Sequence, residues 1–80
     1  MVEIYLIDGI QEVSNCTAKF TPNKLIISST LDPEHVIFEY DLKDVLKVIE
    51  NGYTTYRSYV LKKFGDEYII KKFGDRTGEK

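Results

Sequence analysis

Asp41-Leu42-Lys43-Asp44-Val45-Leu46-Lys47-Val48-Ile49-Glu50-Asn51-Gly52 can be read as a helix or as a strand, and the architecture turns on which. Leu42, Val45, Leu46 and Ile49 fall at i, i+3, i+4 and i+7, the apolar stripe of an amphipathic helix. Asp41 stands where an N-cap belongs, and Asp44 three residues on resembles a capping box with a shorter acid. Asn51-Gly52 supplies the left-handed residue that ends a helix. Periodicity and both caps predict a helix over 41–51. The competing reading takes 46–50 as a strand and Asn51-Gly52 as a type I′ hairpin turn.

Upstream the chemistry is that of strands. Val2-Glu3-Ile4-Tyr5-Leu6-Ile7 is β-branched and aromatic and stops at Asp8-Gly9, a hairpin turn signal. Residues 10–20 form the returning strand; neither alternating face is cleanly apolar, which implies a bulge. Thr21-Pro22-Asn23-Lys24 is a turn, with proline fixing φ and asparagine tolerating the left-handed region. Residues 24–29 make a third strand, Leu31-Asp32-Pro33-Glu34-His35 turns, and 36–40 make a fourth. Successive hairpin steps describe an antiparallel meander.

Downstream, a unit is written twice. Tyr59-Val60-Leu61-Lys62-Lys63-Phe64-Gly65-Asp66 recurs as Tyr68-Ile69-Ile70-Lys71-Lys72-Phe73-Gly74-Asp75, changed only by Val60/Ile69 and Leu61/Ile70. After Tyr53-Thr54-Thr55-Tyr56-Arg57-Ser58, the reading is β again: a hairpin about Gly65-Asp66, with apolar residues packing and lysine pairs guarding the edge. Both faces of that hairpin mix apolar and basic residues, so the pattern leaves its register open. The expected fold class is α+β, a small antiparallel sheet of five or six strands with one short helix at 41–51. Residues 1–75 are expected to form a single domain, with 76–80 as a frayed tail.

Eighty residues leave no room for a second core. With 42% hydrophobic and 30% charged residues, the chain is globular and not disordered. The lone Cys16 excludes an intrachain disulfide and reads as a small buried hydrophobe, and no Cys/His cluster suits zinc. No apolar run approaches a membrane span and the N-terminus lacks a secretory signal, so a cytoplasmic location is expected. His35 lies in a turn beside Asp32 and Glu34, without the spacing that aims ligands at one point. Ser28, Ser29 and Ser58 have no neighbouring base, and no glycine-rich phosphate loop is present. Neither an enzyme nor a cofactor or metal site is expected.

Binding is the remaining class. Residues 1–50 carry nine acids and four bases, and residues 51–80 four acids and seven bases, which implies an acidic side and a basic side. The expected function is stoichiometric recognition of another protein, as an inhibitor or adaptor of the phage or mobile-element type. The residues that would carry it are Asp32, Glu34, Asp41 and Asp44 of the acidic patch, with Tyr56 and Arg57 from a tyrosine-rich strand, since Tyr and Arg are enriched at interface hot spots. Lys62, Lys63, Lys71 and Lys72, interleaved with aromatics, suggest the alternative of a single-stranded nucleic-acid or lipid-headgroup surface. A free sheet edge also leaves a homodimer open.

Thr21-Pro22-Asn23-Lys24-Leu25-Ile26-Ile27, followed by Phe38-Glu39-Tyr40-Asp41-Leu42-Lys43-Asp44-Val45-Leu46-Lys47-Val48, resembles a GRAM or PH-like domain. Those families place an asparagine-lysine turn before one strand and an aspartate-aliphatic pair at the start of a later one. The resemblance implies an all-β partial barrel and lipid-headgroup binding through the same lysines. It also implies a closing C-terminal helix, for which residues 74–80 have no counterpart, and a helix over 42–50 would break the match.

Overall fold

Val2–Leu6 (β1) is the strand around which the larger sheet is built, in a computed structural model that describes residues 1–74. On one side β1 pairs with β2 (Gly9–Val13) through a two-residue turn, Ile7-Asp8. The chain then leaves this sheet: Asn15 takes φ 57° and redirects it into β3 (Cys16–Phe20), which pairs with β4 (Lys24–Ser29), which pairs with β5 (Val36–Asp41). A single 3-10 turn, Leu42–Asp44, leads back to β6 (Val45–Glu50), on the free side of β1, and β6 pairs with β7 (Tyr53–Arg57). The result is two antiparallel sheets, β2-β1-β6-β7 and β3-β4-β5. Two short helices follow, α1 (Tyr59–Phe64) and α2 (Glu67–Phe73).

The sheets and helices form three layers. Val2, Ile4, Val45 and Val48 of the larger sheet meet Cys16, Leu25 and Ile27 of the smaller one in one buried cluster. On the opposite face of the larger sheet, Tyr5 and Leu46 meet Leu61 of α1 and Ile69 of α2 in a second. Helices of six and seven residues do not persist alone. Burial of Leu61 and Ile69, each contributing about 1.5–3 kcal/mol, is what holds them to the sheet.

Three expectations are corrected. The helix over 41–51 does not form: Leu42–Asp44 makes one 3-10 turn without a side-chain cap from Asp41, and Val45–Glu50 is a central strand. The helical spacing has another cause. The register between β1 and β6 slips so that Leu6 pairs with Val45 and Tyr5 with Lys47, leaving Leu46 as the extra residue of a bulge. The bulge sends Val45 and Val48 to one cluster and Leu46 to the other, so apolar residues recur every three positions on a strand buried on both faces. Asn51 (φ 53°) and Gly52 (φ 86°) are then the hairpin turn between Glu50 and Tyr53.

Over its described residues, 59–74, the repeat is likewise not a β-hairpin. Ser58 Oγ accepts a hydrogen bond from the Leu61 N–H (3.3 Å) and starts α1, and its own N–H donates to the Leu46 carbonyl (2.9 Å), fastening the helix start to β6. Gly65 and Gly74 end the two helices in the same way, their N–H groups donating to the Leu61 and Ile70 carbonyls. Finally, the strand read over 10–20 is two strands in two sheets, because the break at Ser14-Asn15 turns the corner between them. Among the described residues the sheets do not close into the barrel that the GRAM or PH-like resemblance implies. The tail expected to fray, 76–80, lies outside the described residues.

Candidate protein-binding edge

The segment between β4 and β5 is a built turn. Ser29 Oγ accepts from the N–H groups of Leu31 (3.2 Å) and Asp32 (3.4 Å), and Asp32 Oδ1 accepts from the Glu34 N–H (3.3 Å). The His35 N–H closes the turn on the Asp32 carbonyl (2.8 Å). Asn and Asp side chains commonly mimic the backbone in this way. Leu31 is left at the tip, 94% exposed, with Asp32 and Glu34 exposed beside it.

β5 runs from this turn along the edge of the smaller sheet, with β4 as its only strand partner among the described residues. Its register slips so that Ile37 is the extra residue between Val36, opposite Ser28, and Phe38, opposite Ile27. Phe38 and Tyr40 share the face of the core residues Ile27 and Leu25. Only Tyr40 reaches the core cluster; Phe38 stacks on Tyr40 with ring centroids 6.0 Å apart. Val36 (49% exposed), Ile37 and Phe38 therefore form an open apolar strip on an unpaired edge. Such an edge is a template for another chain.

Acids bracket the strip. Asp32 and Glu34 precede it; Glu39 and Asp41 lie along its far half, about 3.3 Å per residue further on. Lys24 on β4 reaches Asp41 Oδ1 (3.3 Å) and Glu39 Oε2 (3.5 Å). The hydrogen bond and charge of Asp41, helped by Glu39, raise the Lys24 ammonium above its ordinary range. Asp44, half-buried in the 3-10 turn, is set apart from this edge, its carbonyl accepting from the Ile7 N–H (3.0 Å).

Tyr56 and Arg57 are employed within the chain. Tyr56 packs on the inter-sheet cluster and stacks on Phe20 at 5.6 Å. Arg57 Nη1 bonds Asp66 Oδ1 (2.9 Å) and its Nη2 donates to the Leu61 carbonyl (3.1 Å), so it tethers the linker between the helices. Lys47 Nζ joins the same carboxylate at 3.3 Å. Burial works against the charge on Asp66, but Lys47 and then Arg57 override it and hold the carboxyl below its usual range. Tyr53, 77% exposed, is the open tyrosine of β7. Lys62, Lys63, Lys71 and Lys72 are all exposed, on helices and not on a hairpin.

Cys16 is buried, its thiol donating to the Val13 carbonyl at 3.4 Å, and burial pushes its pKa up, away from nucleophile chemistry. Among the described residues no group of three His, Cys, Asp or Glu side chains converges as metal ligands. A cleft of about 270 Å³ between the 3-10 turn and α1 is lined by Leu42, Tyr56, Tyr59 and Tyr68, with Lys43 its one ionic side chain. It holds no acid–base pair. No described helix is long and apolar enough to cross a membrane.

Sequence reasoning missed Val36, Ile37 and Phe38. The signal was present: an aliphatic-aromatic run followed by Glu39, with no glycine or proline inside it. What the sequence lacked was the pairing that makes this strand an edge. Comparison with protein-family models, with curated proteins and with solved structures finds no match.

Proposed function

We propose that this chain is a recognition module that binds another protein through β5 and its acidic ends, as an inhibitor or adaptor. The observation that carries this reading is the exposed Val36-Ile37-Phe38 strip on a strand with one open side. Apolar side chains there contribute nothing to either core cluster, and their burial by a partner would release water at about 25 cal/mol per Å². Asp32, Glu34 and Asp41 at the two ends favour a partner with basic residues flanking an apolar stretch.

The same charges disfavour a second copy as the occupant. Antiparallel pairing of β5 with itself would set the Asp32/Glu34 end of one copy against the Asp41 end of the other, and like charges opposed across strands destabilise the pair. Tyr56 and Arg57 serve the fold in this reading, and the tyrosine open to a partner on β7 is Tyr53.

The test is affinity capture from the native host with two baits, the wild-type chain and the double variant Val36→Lys/Phe38→Lys. Both sites lie outside the core clusters, so circular dichroism is expected to be unchanged and the melting temperature to fall only by the loss of the Phe38–Tyr40 stack. A protein retained by the wild type and lost with the variant is the expected result. Identical proteins captured by both baits would count against β5 as the interface.

A further inference from the structure

The helix layer carries a second surface, on the opposite face of the larger sheet from the acidic edge. Lys62 and Lys63 stand in the last turn of α1, Lys71 and Lys72 in the last turn of α2. All four are exposed, and none has an ion pair among the described residues. The two acids of this layer do not cancel them. Asp66 is taken by Lys47 and Arg57 from beneath, which leaves Glu67 alone against four ammonium groups.

Beside the lysines lie apolar groups that belong to neither core cluster. Tyr59 is 74% and Phe64 58% exposed, and Ile70 is open as well. Lys63 Nζ lies 5.5 Å from the centre of the Phe64 ring, and Lys72 Nζ 5.8 Å from that of Phe73. Each is an ammonium held over a ring face, a cation–π contact, and lysines set beside aromatic and aliphatic groups on one surface are the composition of an element that lies at a membrane–water boundary.

From these observations we infer that the α1–α2 layer docks on the surface of an anionic lipid bilayer, lysines among the headgroups and Tyr59, Phe64 and Ile70 at the acyl boundary. The acidic edge would then face away from the bilayer, since the two surfaces lie on opposite sides of the larger sheet. Nucleic acid is the poorer fit. Base stacking needs free ring faces, whereas Phe64 already stacks on Tyr68 (6.4 Å) and Phe73 packs against Tyr5 (6.1 Å). This inference uses a different face from β5 and does not rest on the protein-binding reading.

Vesicle flotation of the full chain tests it, with phosphatidylcholine vesicles, with vesicles of phosphatidylcholine and phosphatidylserine, and with oligothymidine as a nucleic-acid probe. Binding to the phosphatidylserine vesicles alone is expected. It should be lost between about 0.1 M and about 1 M salt, where screening shortens from about 10 Å to about 3 Å. Each lysine changed to glutamine should weaken binding about fivefold, so Lys62→Gln/Lys71→Gln should weaken it about 25-fold. Phe64→Ser should weaken it as well, at about 0.1 M salt where the wild type binds. The β5 variant Val36→Lys/Phe38→Lys should float like the wild type, which separates this surface from the protein-binding edge. Equal flotation with both lipid compositions, no flotation at all, or binding to oligothymidine in place of vesicles would overturn the inference.

Discussion

Lys47 is the one buried charged side chain among the described residues, and its position is a consequence of the bulge at Leu46. The slip puts Lys47 opposite Tyr5 and Arg57, on the helix side of the sheet, where Asp66 meets both cations. Breaking a buried pair by removing one partner is costly because the other charge is left without compensation. Asp66 itself is half exposed, so solvent screening keeps the direct attraction to about 1 kcal/mol or less. Asp66→Asn is expected to destabilise the fold by about 1–3 kcal/mol, most of it from stranding Lys47, read as a lower denaturant midpoint. The pH dependence has a definite sign. Because the folded carboxyl titrates below its unfolded value of about 3.9, its stabilisation is complete above that pH and is lost as pH falls through the lower folded value. The gap between wild type and variant should hold at neutral pH and shrink in acid below about pH 4.

At the scale of elements, the repeat shows what a doubled sequence does and does not specify. Both copies end alike, with Gly65 at φ 76°, ψ −179° and Gly74 at φ 84°, ψ 174°, a region open essentially to glycine alone. The buried positions differ: Leu61 anchors α1, whereas its counterpart Ile70 is exposed and Ile69 takes the burial in α2. The copies thus share an ending and not a packing face. A Cβ at Gly65 would meet nothing within 4 Å, so Gly65→Ala isolates the backbone penalty. It is expected to cost about 1–3 kcal/mol in chemical denaturation, while an alanine at Lys62 costs next to nothing.

The strands were legible where turn chemistry was explicit. Residues 24–29 and 36–40 were read directly from Thr21-Pro22-Asn23 and Asp32-Pro33, and they form as β4 and β5. Residues 41–51 misled because a bulge on a doubly buried strand reproduces helical spacing, and only pairing with β1, forty residues away in sequence, decides between them. The helices of the repeat were hidden for the opposite reason: their aliphatic and aromatic residues favour strands locally. Ser58 before Leu61 and glycine after each Lys-Lys-Phe were helix boundary signals that outranked that preference. The acidic patch was visible in composition, but its division into a β5 edge and a separate Asp44 was not. Nothing in sequence showed that Tyr56 would stack on Phe20 or that Arg57 would bond Asp66.

Across the whole molecule, three layers separate two kinds of surface. The smaller sheet ends in an acidic edge with an apolar strip, and the helix layer is basic and aromatic. The larger sheet lies between them: its central strands β1 and β6 supply buried residues to both clusters, and no buried side-chain nitrogen or oxygen among the described residues lacks a partner. The side chains proposed for recognition lie outside both core clusters, the arrangement expected where binding residues are held on a rigid scaffold.

Amide hydrogen exchange, compared between the free chain and its complex with the captured protein, tests the β5 assignment most directly. Slowed exchange is expected in peptides covering 31–41, from the turn at Asp32 to Asp41, with 53–57 unchanged. Protection of 53–57 in the complex, with 36–41 exchanging as fast as in the free chain, would contradict it.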